Sequence, residues 1–273
     1  MKKGSEANMF SKDEIFYTIT DKVAIITLNR PEQRNAFTDS MIIRWAEILR
    51  DLKNDPEVNV IVLTGAGDRA FCSGGDLHAL TNSLELDALD RKHELWEHIH
   101  QVAFEMDRID KPTIAAINGV AVGAGLDMAL LCDLRFMAET ASVSEGYVKI
   151  GLVPGDGGAY LLPRVIGTSK ALEMLWTGDF YSAKECLDMG LVNRVYPQEL
   201  LMEGTLNFAK KVANGPTAAI RMIKRAVYQS EKLDLRTALD LISSHFAIIR
   251  ETADHKEGIS AMLEKRRPNF TGQ

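Results

Sequence analysis

Apolar side chains recur along this chain in two rhythms, and the switches between them predict its elements. Two short runs, Ile-Phe-Tyr-Thr-Ile and Val-Ala-Ile-Ile-Thr-Leu, lie between Ile15 and Leu28. They flank Asp21-Lys22 and predict two strands joined by a tight turn. A polar loop follows from Asn29 to Asn35. Thr38 or Asp39 then caps a helix on which Met41, Trp45, Ile48, Leu49 and Leu52 keep helical spacing, and Asp55-Pro56 stops it. Val58 to Leu63 is apolar without alternation, as in a strand buried on both faces. Thr81 to Arg108 begins polar, after which Leu95, Ile99, Val102, Met106 and Ile109 form one helical stripe.

The central stretch is the most apolar. Thr113 to Ile117 predicts a buried strand, Asn118-Gly119 a turn, and Gly123 with Gly125 a loop opening into a helix that runs towards Asp133. Leu134 to Met137 reads as a strand and Ser142 to Lys149 as extended chain. Ser169 to Trp176, Ser182 to Met189 (closed by Gly190) and most of 198–265 read as helices. The pattern predicts an α/β core with a helical C-terminal appendage.

Three glycine loops punctuate that core: Gly65 to Leu77, Asn118 to Gly125, and Gly151 to Gly158. Such a loop before a helix delivers backbone N–H groups where the helix dipole favours negative charge. The phosphate-loop grammar is missing. No Gly-Lys-Ser/Thr ends any of them, and Met128 stands where a dinucleotide fingerprint needs a small residue. Asn118, Asp127 and Asp133 interrupt the apolar run, which argues against a membrane span.

Composition narrows the classes further. The chain has 273 residues and a net charge of −6, which opposes a general nucleic-acid surface. Cys72, Cys132 and Cys186 form no Cys-x-x-Cys pair and fit a reducing compartment with no disulfide framework or metal site. The basic start, Met-Lys-Lys, leads into no apolar segment, so the expectation is a loose N-terminus on a cytoplasmic protein. Cys72 and Ser73 raise the question of a nucleophile, but Phe71 breaks the Gly-x-Ser-x-Gly elbow. His98 and His100 are two apart and point to opposite sides of a helix, so with His93 they read as solvated.

Taken together, the loops resemble the enoyl-CoA hydratase/isomerase (crotonase) family. The matching stretches are Leu28-Asn-Arg-Pro-Glu-Gln-Arg-Asn-Ala-Phe37, Ala70-Phe-Cys-Ser-Gly-Gly-Asp-Leu77, Ile117-Asn-Gly-Val-Ala-Val-Gly-Ala-Gly125, Gly151-Leu-Val-Pro-Gly-Asp-Gly-Gly158 and Gly190-Leu-Val-Asn-Arg-Val195. Asp254-His-Lys-Glu-Gly258 and Glu264-Lys-Arg-Arg-Pro-Asn-Phe270 also match. The resemblance runs in order from Val23 to Phe270. It implies a crotonase-like spiral of ββα units over 12–205, and a C-terminal helical region over 206–273 that assembles homotrimers or hexamers. It also implies an acyl-CoA thioester substrate, with CoA carried as part of that substrate and no separate cofactor or metal.

The resemblance assigns roles as well. The N–H groups of Gly75 and Ala124 would stabilise a thioester enolate, binding the transition state better than the substrate. Arg34, Ala36, Ser73, Asp76 and Leu77 match the stretch lining the CoA pocket, and Lys265 matches a lysine that in some members reaches a neighbouring subunit's CoA phosphates. Hydratases of this family use two glutamates. Asp127 holds the first position, one methylene short, which withdraws the carboxylate by roughly 1.5 Å. Tyr147 holds the second, and a phenol is a poor base at neutral pH but can line the pocket or hydrogen-bond a substrate. Glu145, which on a strand would share a face with Tyr147 about 7 Å away, and Asp156 in the third loop are the other candidate carboxyls.

The leading expectation is therefore an enoyl-CoA hydratase. A Δ3–Δ2 enoyl-CoA isomerase, which needs a single carboxylate, is the alternative. A binding or RNA-associated protein is the non-enzymatic one, its basic surface drawn from Lys210, Lys211, Arg221, Lys224 and Arg225.

Overall fold

The computed structural model describes residues 13–76, 81 and 86–273. Leu77 and the first twelve residues lie outside them. Ten strands form two sheets. The larger holds β1 (Ile15–Thr20), β2 (Val23–Leu28), β3 (Val60–Gly65), β5 (Thr113–Ile117), β7 (Leu134–Ala138) and β10 (Arg194–Tyr196), in that order. β1 and β2 form the antiparallel hairpin, with Asp21 and Lys22 both at positive φ in its turn, and every other pairing in this sheet is parallel. All residues of β3 and β5 are buried, which explains runs with no polar alternation.

The smaller sheet has the order β4 (Ala70–Cys72), β6 (Val120–Val122), β8 (Ser142–Ser144), β9 (Tyr181–Ser182). Three strands of the first sheet each feed a short strand of the second: β3 leads to β4, β5 to β6, β7 to β8. The chain thus advances as a spiral, and the three glycine loops leave the short strands side by side at one end.

Parallel pairing needs long returns, and helices supply them. α1 (Asp39–Asn54) is capped by the Thr38 side chain and buries Met41, Trp45, Ile48, Leu49 and Leu52 as its spacing predicts. α2 (Ala88–Glu94) passes through a π-helical turn, Leu95–Ile99, into α3 (His100–Asp107). α4 (Ala124–Leu130) is buried at every position. Then come α5 (Gly158–Ile166), α6 (Thr168–Thr177), and α7 (Ala183–Asp188), whose Ser182 and Glu185 form a capping box. α8 (Leu201–Ala213) lies across β2, β3, β5 and β7. α9 (Thr217–Ser230), α10 (Leu235–Arg250) and α11 (Ala253–Leu263) complete the helical last third.

Several expectations need correction. Ser142 to Lys149 is not one extended segment: β8 ends at Ser144, and Gly146–Ile150 is a 3-10 helix. Gly125 lies inside α4 rather than in the preceding loop. A Cβ there would sit 2.1 Å from the Cys72 carbonyl oxygen, so glycine is required for helix and β4 to touch. The basic residues of α9 are paired with acids of the core. Arg221 and Arg225 both bind Asp110, while Lys224 and Tyr228 bind Asp133 at 2.8 and 2.9 Å. They clamp α9 to the core, which removes most of the basic surface on which an RNA-binding reading drew. No helix among the described residues is long and apolar enough to cross a membrane.

Candidate active site

The N-terminus of α4 is where the spiral brings its loops together. Gly123 enters the helix at φ +52°, a left-handed conformation that favours glycine, and its N–H donates to Ser144 O at 2.8 Å. Ala124 is the first helical residue, so its N–H has no acceptor within the helix. The first glycine loop lies alongside. A Cβ on Gly74 would be 3.1 Å from Val122 O and 3.6 Å from Ala124 N. Gly75 forms an isolated parallel bridge with Phe37, in which Phe37 N–H donates to Gly74 O and Asp76 N–H donates to Phe37 O. That pattern consumes the groups on either side and turns the N–H of Gly75 away from Phe37. Among the described residues, the N–H groups of Gly75 and Ala124 have no acceptor.

Asn35 holds the first loop against this pair. It is fully buried at φ +55°, accepts from Arg30 N–H at 3.0 Å, and donates to Ala66 O and Ala70 O at 3.0 and 2.8 Å. Ser73 N–H donates to Arg34 O at 3.0 Å. Arg30 bonds Ala36 O at 2.7 Å and Asp76 Oδ2 at 3.0 Å. Arg34, Ala36, Ser73 and Asp76 therefore form one connected rim, with Arg34 exposed and the Asp76 carboxylate committed to Arg30. Leu77 is outside the described residues. Lys265 stands exposed beyond α11 at φ +56°, and no contact among the described residues joins it to this rim.

Behind the loops lies a cluster of acids. Asp127 points from the first turn of α4, Glu145 from the end of β8, and Asp156 from the third loop; they are 0%, 0% and 7% exposed. The Tyr147 hydroxyl bridges two of them, 2.7 Å from Asp127 Oδ2 and 2.5 Å from Asp156 Oδ2. Its 3-10 turn, and not a strand, carries it there, with the ring against Gly123. A hydroxyl has one hydrogen to give, so one of these contacts requires the hydrogen to lie on the carboxyl. Gly158 leaves room for the remainder. A Cβ on it would lie 2.4 Å from Asp127 Oδ1 and 3.1 Å from Glu145 Oε1.

Burial controls the protonation of this group. Asp127 is pushed up to about 7, by burial first and with the Tyr147 hydrogen bond opposing the rise. Glu145 is pushed up to about 10, by burial and by the neighbouring charges of Asp127 and Asp156. Asp156 is raised by burial, against the opposing effects of the Tyr147 hydrogen bond and the charge of His100. Tyr147 is driven well above its ordinary value and stays a phenol. As bare acceptors, Glu145 Oε1 and Oε2 and Asp127 Oδ1 lack partners. A protonated Glu145 resolves this by donating to Asp127, an interaction that raises the Glu145 pKa and lowers that of Asp127. The cluster thus holds acids and bases of different strength within hydrogen-bond reach, as proton transfer at carbon requires.

Two residues escaped the sequence reading. His100 is not solvated: it is half-buried between Trp96 and Phe104, and its Nε2 lies 2.7 Å from Gly155 O. Gly158 looked like one more turn glycine. Cys72, the candidate nucleophile, is buried and pushed up to about 12 by that burial, which leaves an inert thiol.

Relatives carry the same arrangement of elements across nearly the whole chain. The family model described as enoyl-CoA hydratase/isomerase matches residues 18–273. The mitochondrial enoyl-CoA hydratase of Pongo abelii is 37% identical over 252 residues, covering 92% of this chain and 84% of that one. The 1,2-epoxyphenylacetyl-CoA isomerase of Escherichia coli K12 is 36% identical over 251 residues, covering 92% and 95%. The crystal structure of enoyl-CoA hydratase from Bacillus anthracis superposes with a TM-score of 0.89 at 34% identity, over 96% of this chain and 100% of that one. The spiral is therefore the crotonase fold, and the chain belongs to the enoyl-CoA hydratase/isomerase family.

Proposed function

We propose that the protein adds water reversibly to a 2-enoyl-CoA thioester. The Gly75 and Ala124 N–H groups receive the thioester oxygen as negative charge grows on it. Donors already aimed at that oxygen cost no reorganisation, and one is worth about 3–4 kcal/mol. Asp127 and Asp156 move the protons, and Glu145 stays neutral and tunes Asp127. The observation that carries this reading is the convergence of three buried carboxyls behind two amides without acceptors among the described residues. The hydratase names among the relatives support it.

The bridging phenol favours a second reading, double-bond migration in a 3-enoyl-CoA. A hydratase needs a water between two carboxyls, and the Tyr147 hydroxyl occupies such a position between Asp127 and Asp156. A base that takes a proton from one carbon and returns it to another needs no water there. Crotonyl-CoA and trans-3-hexenoyl-CoA, with products identified by mass and retention, separate the two. Hydrated product supports the first reading and migration without mass gain the second; neither product from either substrate sinks both.

CoA itself is assigned to the rim of Arg34, Ala36, Ser73 and Asp76, with Leu77, Tyr147 and Lys265 as further contacts. Exposed apolar side chains on α9 to α11, among them Ile223, Val227, Leu235, Phe246 and Met262, support assembly as a trimer or a pair of trimers. Light scattering tests this; a monomer at micromolar concentration rules it out.

A further inference from the structure

We infer that His100 is a positioning residue for Asp156, holding both the peptide that carries it and the charge that faces it. The inference rests on Asp156 being one of the proton-transferring carboxyls.

The geometry starts at the Gly155 carbonyl. A carbonyl oxygen only accepts, so the His100 Nε2 that lies 2.7 Å from it carries a hydrogen and donates. Gly155 immediately precedes Asp156, and their shared peptide plane sets where the Asp156 side chain starts. Glycine has no Cβ to restrict that plane, and a bond from outside the loop can fix it. The donor comes from α3, at the end of the π-helical turn Leu95–Ile99, and π turns of this kind are found disproportionately at functional sites. The same turn supports the loop a second time, because a Cβ on Gly155 would lie 3.6 Å from Leu95 Cδ2. His100 is in turn held by the ring edges of Trp96 and Phe104, at centroid distances of 5.8 and 6.0 Å.

The charge argument is independent. Asp156 is faced by Tyr147 from the 3-10 turn, Asp127 from α4, Glu145 from the end of β8, Cys72 from β4 and His100 from α3. Four of these five are acids or weak acids. His100 is the basic one, and its charge favours the ionised form of Asp156. Asp156 Oδ1 is buried with no hydrogen-bond partner among the described residues, so no direct bond offsets its lost hydration. His100 thus does for Asp156 the reverse of what Glu145 does for itself, holding one carboxyl of the cluster ready to accept a proton.

The test uses the full-length protein labelled with carboxyl-carbon-13 aspartate, with the Asp156 resonance assigned by its loss in D156N. Removing the imidazole in H100L or H100Q raises the titration midpoint of Asp156, a proton affinity about tenfold higher. H100Q keeps a donor for Gly155 O and H100L does not. On whichever of crotonyl-CoA and trans-3-hexenoyl-CoA is turned over, H100L therefore loses kcat with KM unchanged, and H100Q recovers part of it. An Asp156 midpoint in H100L equal to that of the parent protein overturns the inference, and so does a loss confined to KM. A silent H100L beside an inactive D156N overturns this inference alone. A shifted midpoint in H100L beside full turnover by D156N overturns the proposed role of Asp156 instead.

Discussion

The Tyr147 hydroxyl lies 2.7 Å from Asp127 Oδ2, so the residue standing where the resemblance places one family glutamate holds on to the residue standing where it places the other. The two departures from the hydratase pattern are one arrangement. The phenol lowers the proton affinity of Asp127, which burial alone drives upward.

Tyr147→Phe removes that hydrogen bond and leaves both Oδ2 atoms to find other partners. Asp127 then binds its proton more tightly than at about 7, and the acid limb of the kcat profile moves to higher pH. A bond to a charged group is worth about 1.5–3 kcal/mol, and a fall in unfolding free energy of that order is expected. An unmoved acid limb in a steady-state pH series would show that Asp127 is not the group being titrated.

Glu145 gives the stability profile its slope. Its folded value of about 10 lies above the ordinary 4.5, so between those limits the folded chain holds a proton that the unfolded chain releases. The stabilisation is complete below pH about 4.5 and is lost as pH climbs towards 10. Glu145→Gln keeps the shape and cannot ionise. It should be more stable than the parent at pH 9 and little different at pH 5, measured by urea unfolding at both. Equal offsets at the two pH values would contradict a protonated Glu145.

Ala124→Pro tests the amide itself. Proline is tolerated at the first helical position because the N–H there has no acceptor within the helix. The substitution deletes the donor, fills the space in front of it, and keeps α4. A loss of about 10²–10³ in kcat is expected with the fold intact by circular dichroism. A loss of less than about threefold would remove Ala124 from the oxyanion role.

Gly158→Ala places a carbon 2.4 Å from Asp127 Oδ1, and one of the two must move. A displacement of about 1 Å costs roughly 100-fold in rate. The variant should fold and lose kcat with little change in KM, and Asp127→Asn in the same background should lose little more. An additive double variant would mean that Gly158 acts elsewhere.

Much of the fold was legible because its elements announce themselves locally. β3 and β5 are unbroken apolar runs, α1 carries its cap at Thr38, and α7 its capping box. β4 and β6 were not legible, being three residues each and paired only with strands that the chain reaches elsewhere in the spiral. The turn at Gly146–Ile150 was missed for a related reason. Gly146 packs where a Cβ would lie 2.9 Å from Val122, a contact with a strand more than twenty residues earlier. At the site, the acids could be named from the motifs, but Tyr147 could not be placed between them. His100 followed the helical spacing of an ordinary surface position, and its partner Gly155 is 55 residues away. Local pattern records what a residue is and which way it faces on its own element. It does not record what arrives opposite.

The shared hydrogen of Tyr147 also bears on isotopes. A proton collected by one aspartate can pass through the phenol to the other, since each step is a single short bond between partly buried groups. The hydrogen handed to the second aspartate is the phenol's own, so a tritium or deuterium atom lifted from the substrate stays on the phenol and is set down in a later turnover. Memory of the label across a turnover is what such a closed path leaves behind.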